Sequence, residues 1–258
     1  MLTHAKIKQF QSLQQKKYRL IYKQYLIQGE KIVNEALRTG NQPDYLLANE
    51  QTLKTHPEWE SHRGFELANE KQLSRISSLK TPPNVIAVMP YDEPYLDVNT
   101  LINSLSIGLE CIRDPGNLGT IIRIADWFGI KDVLCSEDTV DVTNPKVVQA
   151  SMGSLFRVRV HYVDLALQIQ TIRASTDNYT VYGTFMDGDS VYDKKLKNKG
   201  LLLMGNEGQG ISQALEPLCD EKICIPGYMR EGAGIDSLNI SVAAGIFCSE
   251  FRRRFSGE

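Results

Sequence analysis

The chain has 258 residues, of which 42% are hydrophobic and 23% charged, and its formal net charge is −2. This composition supports one large core or two modest ones and excludes wholesale disorder. No run approaches the roughly 18 apolar residues that a membrane-spanning helix needs, and the overall charge does not indicate a polyanion partner.

The charge is nevertheless unevenly distributed. The first 40 residues carry eight basic side chains and only two acidic ones. Such asymmetry favours contact with nucleic acid or another anionic surface. A solvated amphipathic helix would give the same pattern.

The first 90 residues alternate between helix and strand patterns. Apolar residues at roughly helical spacing predict a helix over 6–28, Gly29 interrupts it, and the helical pattern continues over 30–37. Further elements are predicted as a strand at 45–48, a helix at 71–79 and a buried strand at 85–89. This alternation predicts a small α/β domain.

Residues 90–95 carry two prolines and two acids without periodicity, which is typical of a linker. We therefore predict a first domain at 1–92, a linker at 93–104 and a second domain at 105–258. In the second domain, strands are predicted at 106–112, 131–136, 156–161, 179–185, 200–205 and 222–226. Helices are predicted near 119–129, 145–153, 163–175, 210–218 and 239–254. Short apolar strands separated by helices indicate a mostly parallel sheet.

The five cysteines are scattered, and no pair of them has the spacing of a zinc site. We interpret them as free thiols in a reducing cytoplasm. The first residues lack the apolar stretch of a secretory signal, which also favours a cytoplasmic protein.

Three segments of the second domain have the character of a functional site. In the first, a hydrophobic strand runs into a Pro-Gly-Asn turn, and a helix is predicted from Gly119. This arrangement directs Asn117 and Arg123 out of a glycine-bearing loop. The structural alternatives are a left-handed turn at Asn117 and an exposed ion pair between Arg123 and Asp126.

The second segment is an apolar strand over 201–204 that ends in Gly205-Asn206-Glu207-Gly208-Gln209-Gly210. Its glycine spacing is neither that of a dinucleotide-binding loop nor that of a P-loop. In isolation, the segment is equally consistent with a tight turn that leaves Glu207 solvated.

The third segment runs from Ile225-Pro226 to a predicted C-terminal helix. Ser237 and Asn239 precede that helix, and either residue is a good helix cap. A cap alone does not require both of them.

Together the segments resemble the three motifs of the SPOUT class, specifically the TrmH/SpoU-type RNA ribose 2′-O-methyltransferases. The matching residues are Asp114-Pro115-Gly116-Asn117-Leu118-Gly119 with Arg123, then Met204 to Gly210, and finally Ile225-Pro226 with Ser237-Leu238-Asn239-Ile240-Ser241-Val242-Ala243. The resemblance covers residues 105–254. The N-terminal part resembles the ribosomal-protein-like substrate domain that precedes this catalytic domain in many rRNA-modifying members.

The resemblance implies methyl transfer from S-adenosylmethionine to a ribose 2′-hydroxyl, with 23S-type rRNA favoured over tRNA. It also implies a parallel-sheet α/β domain with a C-terminal trefoil knot, a homodimer formed through the catalytic domain, and no metal. Backbone groups of the knotted loops bind the cofactor in the family. This points here to Met204, Gly205, Ile225 and Leu238.

The roles implied for individual side chains centre on Arg123, which would hold phosphate and stabilise the alkoxide because arginine stays protonated. The further residues of the implied catalytic set are Asn117, Glu207, Ser237 and Asn239. For RNA, the implied basic set is Lys16, Lys17 and Arg19, with tyrosines at 18, 22 and 25 available for stacking.

One departure from the family pattern is a linker over 227–236 that is a few residues longer than usual. Two other functions stay open on the sequence. A non-catalytic RNA-binding or assembly factor of the same fold is disfavoured by the full set of catalytic residues. A dinucleotide-dependent oxidoreductase is disfavoured by the glycine spacing.

Overall fold

A computed structural model describes residues 2–228 and 237–254. The chain forms two compact units, and the segment Asp141–Phe156 belongs to the first of them. The first unit is Met1–Glu93 with Asp141–Phe156, and the second is Pro94–Val140 with Arg157–Glu258. The first unit is therefore not continuous in sequence. The side chain of Val148, from its second segment, packs into the core of this unit.

The first unit contains a four-stranded sheet with helices on both faces. Its elements are α1 (His4–Ser12), α2 (Lys16–Tyr22), β1 (Gln24–Gln28), α3 (Glu30–Arg38), β2 (Tyr45–Ala48), α4 (Glu50–Thr55), a 3₁₀ helix (Pro57–Ser61), β3 (Phe65–Leu67), α5 (Glu70–Ile76) and β4 (Val85–Pro90). The later segment adds α8 (Pro145–Ser151) and a 3₁₀ helix (Ser154–Phe156). The strand order is β1-β4-β2-β3, in which only the β2–β3 pair is parallel.

Both faces of this sheet are buried, as β4 illustrates. Val85, Ala87 and Met89 point into one apolar cluster, and Ile86 and Val88 point into the other. The first cluster is closed by α3, and the second by α1 and α5. A strand with two buried faces needs a continuous apolar run, and this is the pattern that predicted β4.

The predicted single helix over 6–28 is wrong, because it is divided into α1 and α2 by a break at residues 13–15 and does not continue beyond residue 22. Lys23 adopts a left-handed conformation, with φ of 50°, and Gln24–Gln28 forms β1, which pairs antiparallel with β4. The predicted strand at 45–48 is confirmed as β2. The helices predicted at 30–37 and 71–79 are present as α3 and α5 with slightly shifted ends.

The second unit contains a six-stranded sheet in which every strand pair is parallel. Its elements are α6 (Val98–Ile102), β5 (Leu105–Leu109), α7 (Pro115–Trp127), β6 (Asp132–Cys135), β7 (Arg159–Tyr162), α9 (Leu165–Ser175), β8 (Val181–Ser190), β9 (Gly200–Met204), a 3₁₀ helix (Glu216–Leu218), β10 (Glu221–Cys224) and α10 (Ile240–Arg253). The strand order is β10-β8-β9-β5-β6-β7. The predicted parallel α/β class is therefore confirmed, and the trefoil knot stays a prediction.

Two element predictions in this unit are corrected. No α-helix forms over 210–218, where Gly210 is left-handed (φ 68°) and only the 3₁₀ helix at Glu216–Leu218 follows. Helix α7 begins at Pro115 rather than Gly119, because proline suits the first turn of a helix and Asp114 caps it. Within the described ranges, no helix is long and apolar enough to cross a membrane.

Candidate active site

The order of the sheet brings the three sequence segments together. Strands β10, β8, β9 and β5 are consecutive neighbours and all parallel, so their carboxyl ends lie at one edge. The first two segments leave from β5 and β9, and the third leaves from β10. The crevice outside the carboxyl ends of parallel strands is the usual ligand site of an open α/β sheet.

Asn117 lies in the first turn of α7 and not in a left-handed turn. The carboxylate of Asp114 accepts the backbone N–H of Asn117 at 2.9 Å, which fixes this turn. The side chain of Asn117 is therefore carried by a capped helix, and the turn interpretation of this residue is wrong.

The second segment forms a loop that closes on itself at residues 206 and 210. The backbone N–H of Asn206 donates to the Gly210 carbonyl at 3.1 Å, and the reverse bond measures 2.7 Å. A Cβ at Gly205 would lie 2.0 Å from the carbonyl carbon of Gly210, so only glycine fits there. The exposed Glu207 follows Asn206 in this closed loop.

Asn239 is the N-cap of α10. Its Oδ1 accepts the backbone N–H groups of Ser241 at 3.0 Å and Val242 at 3.3 Å, and also the hydroxyl of Ser241 at 2.6 Å. These donors identify Oδ1 as the oxygen and direct Nδ2 away from the helix. Ser237 is exposed and forms no hydrogen bond with any residue that the structure describes.

Asn117, Glu207 and Asn239 meet in a closed triangle of hydrogen bonds. The Nδ2 of Asn117 donates to Glu207 Oε1 at 2.5 Å. The Nδ2 of Asn239 donates both to Asn117 Oδ1 at 3.0 Å and to Glu207 Oε1 at 3.2 Å. Asn239 therefore caps the helix through its oxygen and joins the triangle through its nitrogen. It combines the helix-cap role and the site role that the sequence suggested for it.

The guanidinium of Arg123 is exposed on α7, and it has no hydrogen-bond or ion-pair partner within residues 2–228 and 237–254. The alternative pairing with Asp126 does not form. Arg157 binds that carboxylate instead, through Nε at 3.0 Å and Nη2 at 2.6 Å. Among the described residues, Arg123 thus has no partner, and no hydrogen bond joins it to the triangle.

The predicted cofactor residues lie at the strand ends. Met204 ends β9 and is buried, Gly205 follows it, and Ile225 follows β10. Leu238 precedes α10 and is 49% exposed. Strand β8 lies between β9 and β10, so its carboxyl end is at the same edge of the sheet. The parallel pattern of the sequence already indicated that the predicted strand at 179–185 would end there.

The polar residues beside Cys111, Ser136 and Asp138, were not predicted from the sequence. Cys111, the second residue after β5, adopts a left-handed conformation with φ of 57°. A hydrogen bond to Asp138 raises the pKa of the Cys111 thiol, and the same bond lowers the pKa of the Asp138 carboxyl. The thiol therefore stays protonated at neutral pH and is not a nucleophile.

The basic residues proposed for RNA divide into two groups. Lys16 and Lys17 are exposed on α2. Arg19 is not available, because its buried guanidinium binds Asp141 at 2.7 Å, Thr143 at 3.0 Å and two backbone carbonyls. We therefore remove Arg19 from the RNA-binding set. Tyr25 is also a core residue, 5% exposed.

The lengthened linker predicted over 227–236 falls mostly outside the described residues, of which Gly227 and Tyr228 are its exposed beginning. Groups of three or more potential metal ligands do not occur within the described ranges.

Comparison with known proteins agrees with the site. The model of the SpoU rRNA Methylase family matches residues 104–249, and that of the MRM3-like substrate binding domain matches residues 4–87. The chain is 29% identical to the 23S rRNA (guanosine(2553)-2′-O)-methyltransferase RlmP of Bacillus subtilis (strain 168), over 96% of both chains.

Two solved structures share the fold over nearly the whole length. One is the SpoU methyltransferase AviRb from Streptomyces viridochromogenes in complex with AdoMet, with a TM-score of 0.84, 29% identity and coverage of 99% of this chain and 100% of that one. The other is an AdoMet-bound rRNA methyltransferase from Sinorhizobium meliloti, with a TM-score of 0.84, 28% identity and coverage of 98% and 96%. The chain belongs to the SpoU rRNA methylase family, with its three motifs gathered at one edge of a parallel sheet.

Proposed function

We propose that the chain transfers the methyl group of S-adenosylmethionine to a ribose 2′-hydroxyl of rRNA, and specifically of 23S-type rRNA. The observation that carries this proposal is the triangle of Asn117, Glu207 and Asn239. Each comes from a different motif, and each directs a polar atom at the others. The Bacillus subtilis relative is a 23S rRNA methyltransferase, which supports rRNA over tRNA.

The residues at the sheet edge fit S-adenosylmethionine. The half-buried Ile225 and half-exposed Leu238 offer apolar surface to an adenine ring, and Gly205 exposes backbone beyond the end of β9. When bound, this cofactor supplies a methyl group that is already activated on a sulfonium. The protein therefore has to position the ribose and assist removal of the hydroxyl proton.

The side chains divide this work according to their chemistry. Arg123 stays protonated and has no protein partner in the described ranges, so it is suited to bind the phosphate beside the target ribose and to stabilise the alkoxide. Glu207 receives two amide N–H groups on Oε1, which leaves Oε2 to accept a hydrogen bond from the substrate. Asn117 and Asn239 hold that carboxylate in place.

The test is transfer of a tritiated methyl group from S-adenosylmethionine into total RNA that lacks native modification. The wild type should label large rRNA, and digestion should place the label on ribose. Arg123→Ala should abolish labelling, whereas the matched control Arg63→Ala, an exposed arginine of the first unit, should not. A protein that binds S-adenosylhomocysteine yet labels no RNA would support the non-catalytic alternative.

For RNA binding we propose the α2 surface. Its exposed residues are Lys16, Lys17, Leu20, Ile21, Tyr22 and Lys23. Lysines suit phosphates, and exposed apolar and aromatic side chains suit unstacked bases. The match to a substrate binding domain over residues 4–87 supports this assignment.

The α2 surface is tested through the salt dependence of RNA affinity. Replacing Lys16 and Lys17 by Gln should reduce the slope of log K against log salt by about 1.4 for single-stranded RNA, if each lysine neutralises one phosphate. Replacing Lys71 and Lys80, which are also exposed, is the matched control. An unchanged slope in the first variant would exclude the α2 surface.

We also propose that the chain forms a homodimer through its second unit. Trp127 at the end of α7 is 84% exposed, and Val242 in the first turn of α10 is 52% exposed. The two side chains lie at opposite ends of this helix pair and do not form one patch, so the proposal rests on the dimer that the family resemblance implies, and the highly exposed Trp127 is the side chain chosen to test it. Sedimentation of the wild type should give a dimer and Trp127→Glu a monomer. A monomeric wild type at micromolar concentration would contradict the proposal.

A cytoplasmic location is likewise a proposal. All five cysteines are free, and those at positions 135 and 248 are buried. Free thiols are typical of a reducing compartment.

A further inference from the structure

The junction between β5 and α7 holds an unusual backbone conformation next to the active site. Cys111 is one of three non-glycine residues with positive φ in the described chain. Both of its peptide groups are bound by side chains. Its N–H donates to Ser136 Oγ at 2.8 Å, and its carbonyl accepts from Asn206 Nδ2 at 2.8 Å. A conformation that costs free energy persists only where neighbouring groups fix it.

Two side-chain hydrogen bonds tie this junction to the segment that carries Glu207, and in both of them that segment supplies the donor. The side chain of Asn206 donates to the Cys111 carbonyl, as described above. The carboxylate of Glu110 accepts the backbone N–H of Ser212 at 2.8 Å. One bond lies immediately before Glu207 and the other five residues after it, so the loop is anchored on both sides.

Asn206 also shapes the loop from within. Its Oδ1 accepts the backbone N–H of Gly208 at 2.8 Å, while its backbone pairs with Gly210. Glu207 lies between Asn206 and Gly208, so these bonds fix the backbone from which its side chain reaches Asn117 and Asn239. The side-chain amide of Asn206 therefore links the conformation of the loop to the backbone that leads into α7 and Asn117.

We propose that Asn206 and Glu110 are positioning residues for methyl transfer, which act by holding the Glu207 carboxylate against Asn117. This inference rests on the proposed methyltransferase function. Neither side chain is assigned a contact with substrate or cofactor. Their effect on the rate is expected to pass through Glu207.

The test is a double-mutant cycle measured by single-turnover methyl transfer into RNA. Asn206→Ala should lower the rate constant by about 10- to 100-fold, because misplacing a reacting group by about 1 Å has an effect of this size. In a Glu207→Ala background the same substitution should change the rate by less than about twofold, because effects that pass through one group are not additive. Affinity for S-adenosylhomocysteine and the unfolding temperature are measured in parallel.

Glu110 provides a conservative rescue. Glu110→Ala removes the acceptor of the Ser212 N–H and should lower the rate, whereas Glu110→Gln keeps a carbonyl oxygen at that position and should restore most of it. A general loss of stability would lower the unfolding temperature of the variants and the affinity for S-adenosylhomocysteine together with the rate.

The outcomes separate the two levels of the proposal. If Asn206→Ala keeps the wild-type rate, or lowers it by the same factor with and without Glu207, the positioning role is wrong while the methyltransferase function stands. If the wild type transfers no methyl group to any RNA, the proposed function fails and the positioning role fails with it. A rate loss that disappears in the Glu207→Ala background supports both.

Discussion

Substitution of Asn239 by Asp separates the two roles of this residue. Aspartate keeps an oxygen that caps α10, and Asp caps a helix about as well as Asn does. It cannot replace the Nδ2 that donates to Asn117 Oδ1 at 3.0 Å and to Glu207 Oε1 at 3.2 Å. It also places a second carboxylate beside Glu207.

The expected size of the effect follows from these bonds. A hydrogen bond to a charged group contributes about 1.5–3 kcal/mol, and each 1.4 kcal/mol changes a rate by about tenfold. Asn239→Asp should therefore lower kcat by at least about 10- to 100-fold while it keeps the cap of α10. Asn239→Ala loses the cap as well, about 1 kcal/mol, which lowers Tm by about 2–4 °C for a unit of this size.

The assay combines single-turnover methyl transfer with thermal unfolding of both variants. Wild-type kcat in Asn239→Asp would show that the triangle does not contribute to the rate. An equal loss of Tm in Asn239→Asp and Asn239→Ala would show that Asn239 is not the functional cap of α10. Either result would refute the assignment of both roles to this side chain.

Three further predictions concern stability. Arg19→Met should destabilise the first unit by about 3–5 kcal/mol in urea unfolding, because it leaves the Asp141 carboxylate without its buried partner; a loss below about 1 kcal/mol would contradict this. Cys111→Gly should leave Tm unchanged or slightly raised. Glycine removes the cost of about 1–2 kcal/mol of a left-handed conformation, and this gain offsets the greater conformational entropy of glycine in the unfolded chain. A clear fall in Tm would show that the backbone of Cys111 is not strained. Burial raises the pKa of Asp132, but hydrogen bonds from His161 and a neighbouring guanidinium outweigh it and hold the pKa below its usual range. The stability from this group is present above the unfolded pKa of about 3.9 and lost as pH falls through the lower folded pKa, so unfolding below pH of about 4 should be less pH-dependent in Asp132→Asn than in the wild type.

The elements that the sequence predicted well are those whose signals are local. In the second unit, β5, β6 and β9 are short, fully buried strands, and all six strands overlap the ranges predicted for them. The first site segment was recognisable because strand, glycine-bearing loop and helix follow one another within a few residues. The cap at Asn239 was foreseeable for the same reason.

The errors arose where distant partners decide the structure. Tyr25, Leu26 and Ile27 fit a helical stripe as well as a strand, and pairing with β4, some 60 residues later, selects the strand. Arg19 has the character of an exposed basic residue until Asp141 approaches it from a segment more than 100 positions away. Local periodicity carries no information about either partner.

The availability of Arg123 is itself a product of such a distant contact. Helix geometry places Asp126 three residues after Arg123, where an ion pair would contribute about 0.2–0.5 kcal/mol and would neutralise the guanidinium. Arg157 prevents this by binding Asp126 through two nitrogens, Nε at 3.0 Å and Nη2 at 2.6 Å, a forked geometry that is stronger than a single contact. Within the residues that the structure describes, the Arg123 guanidinium therefore has no carboxylate partner, which suits its proposed role in binding an external anion. The sequence alone indicates an arginine on a helix, and only the tertiary structure shows that Asp126 pairs with Arg157 instead.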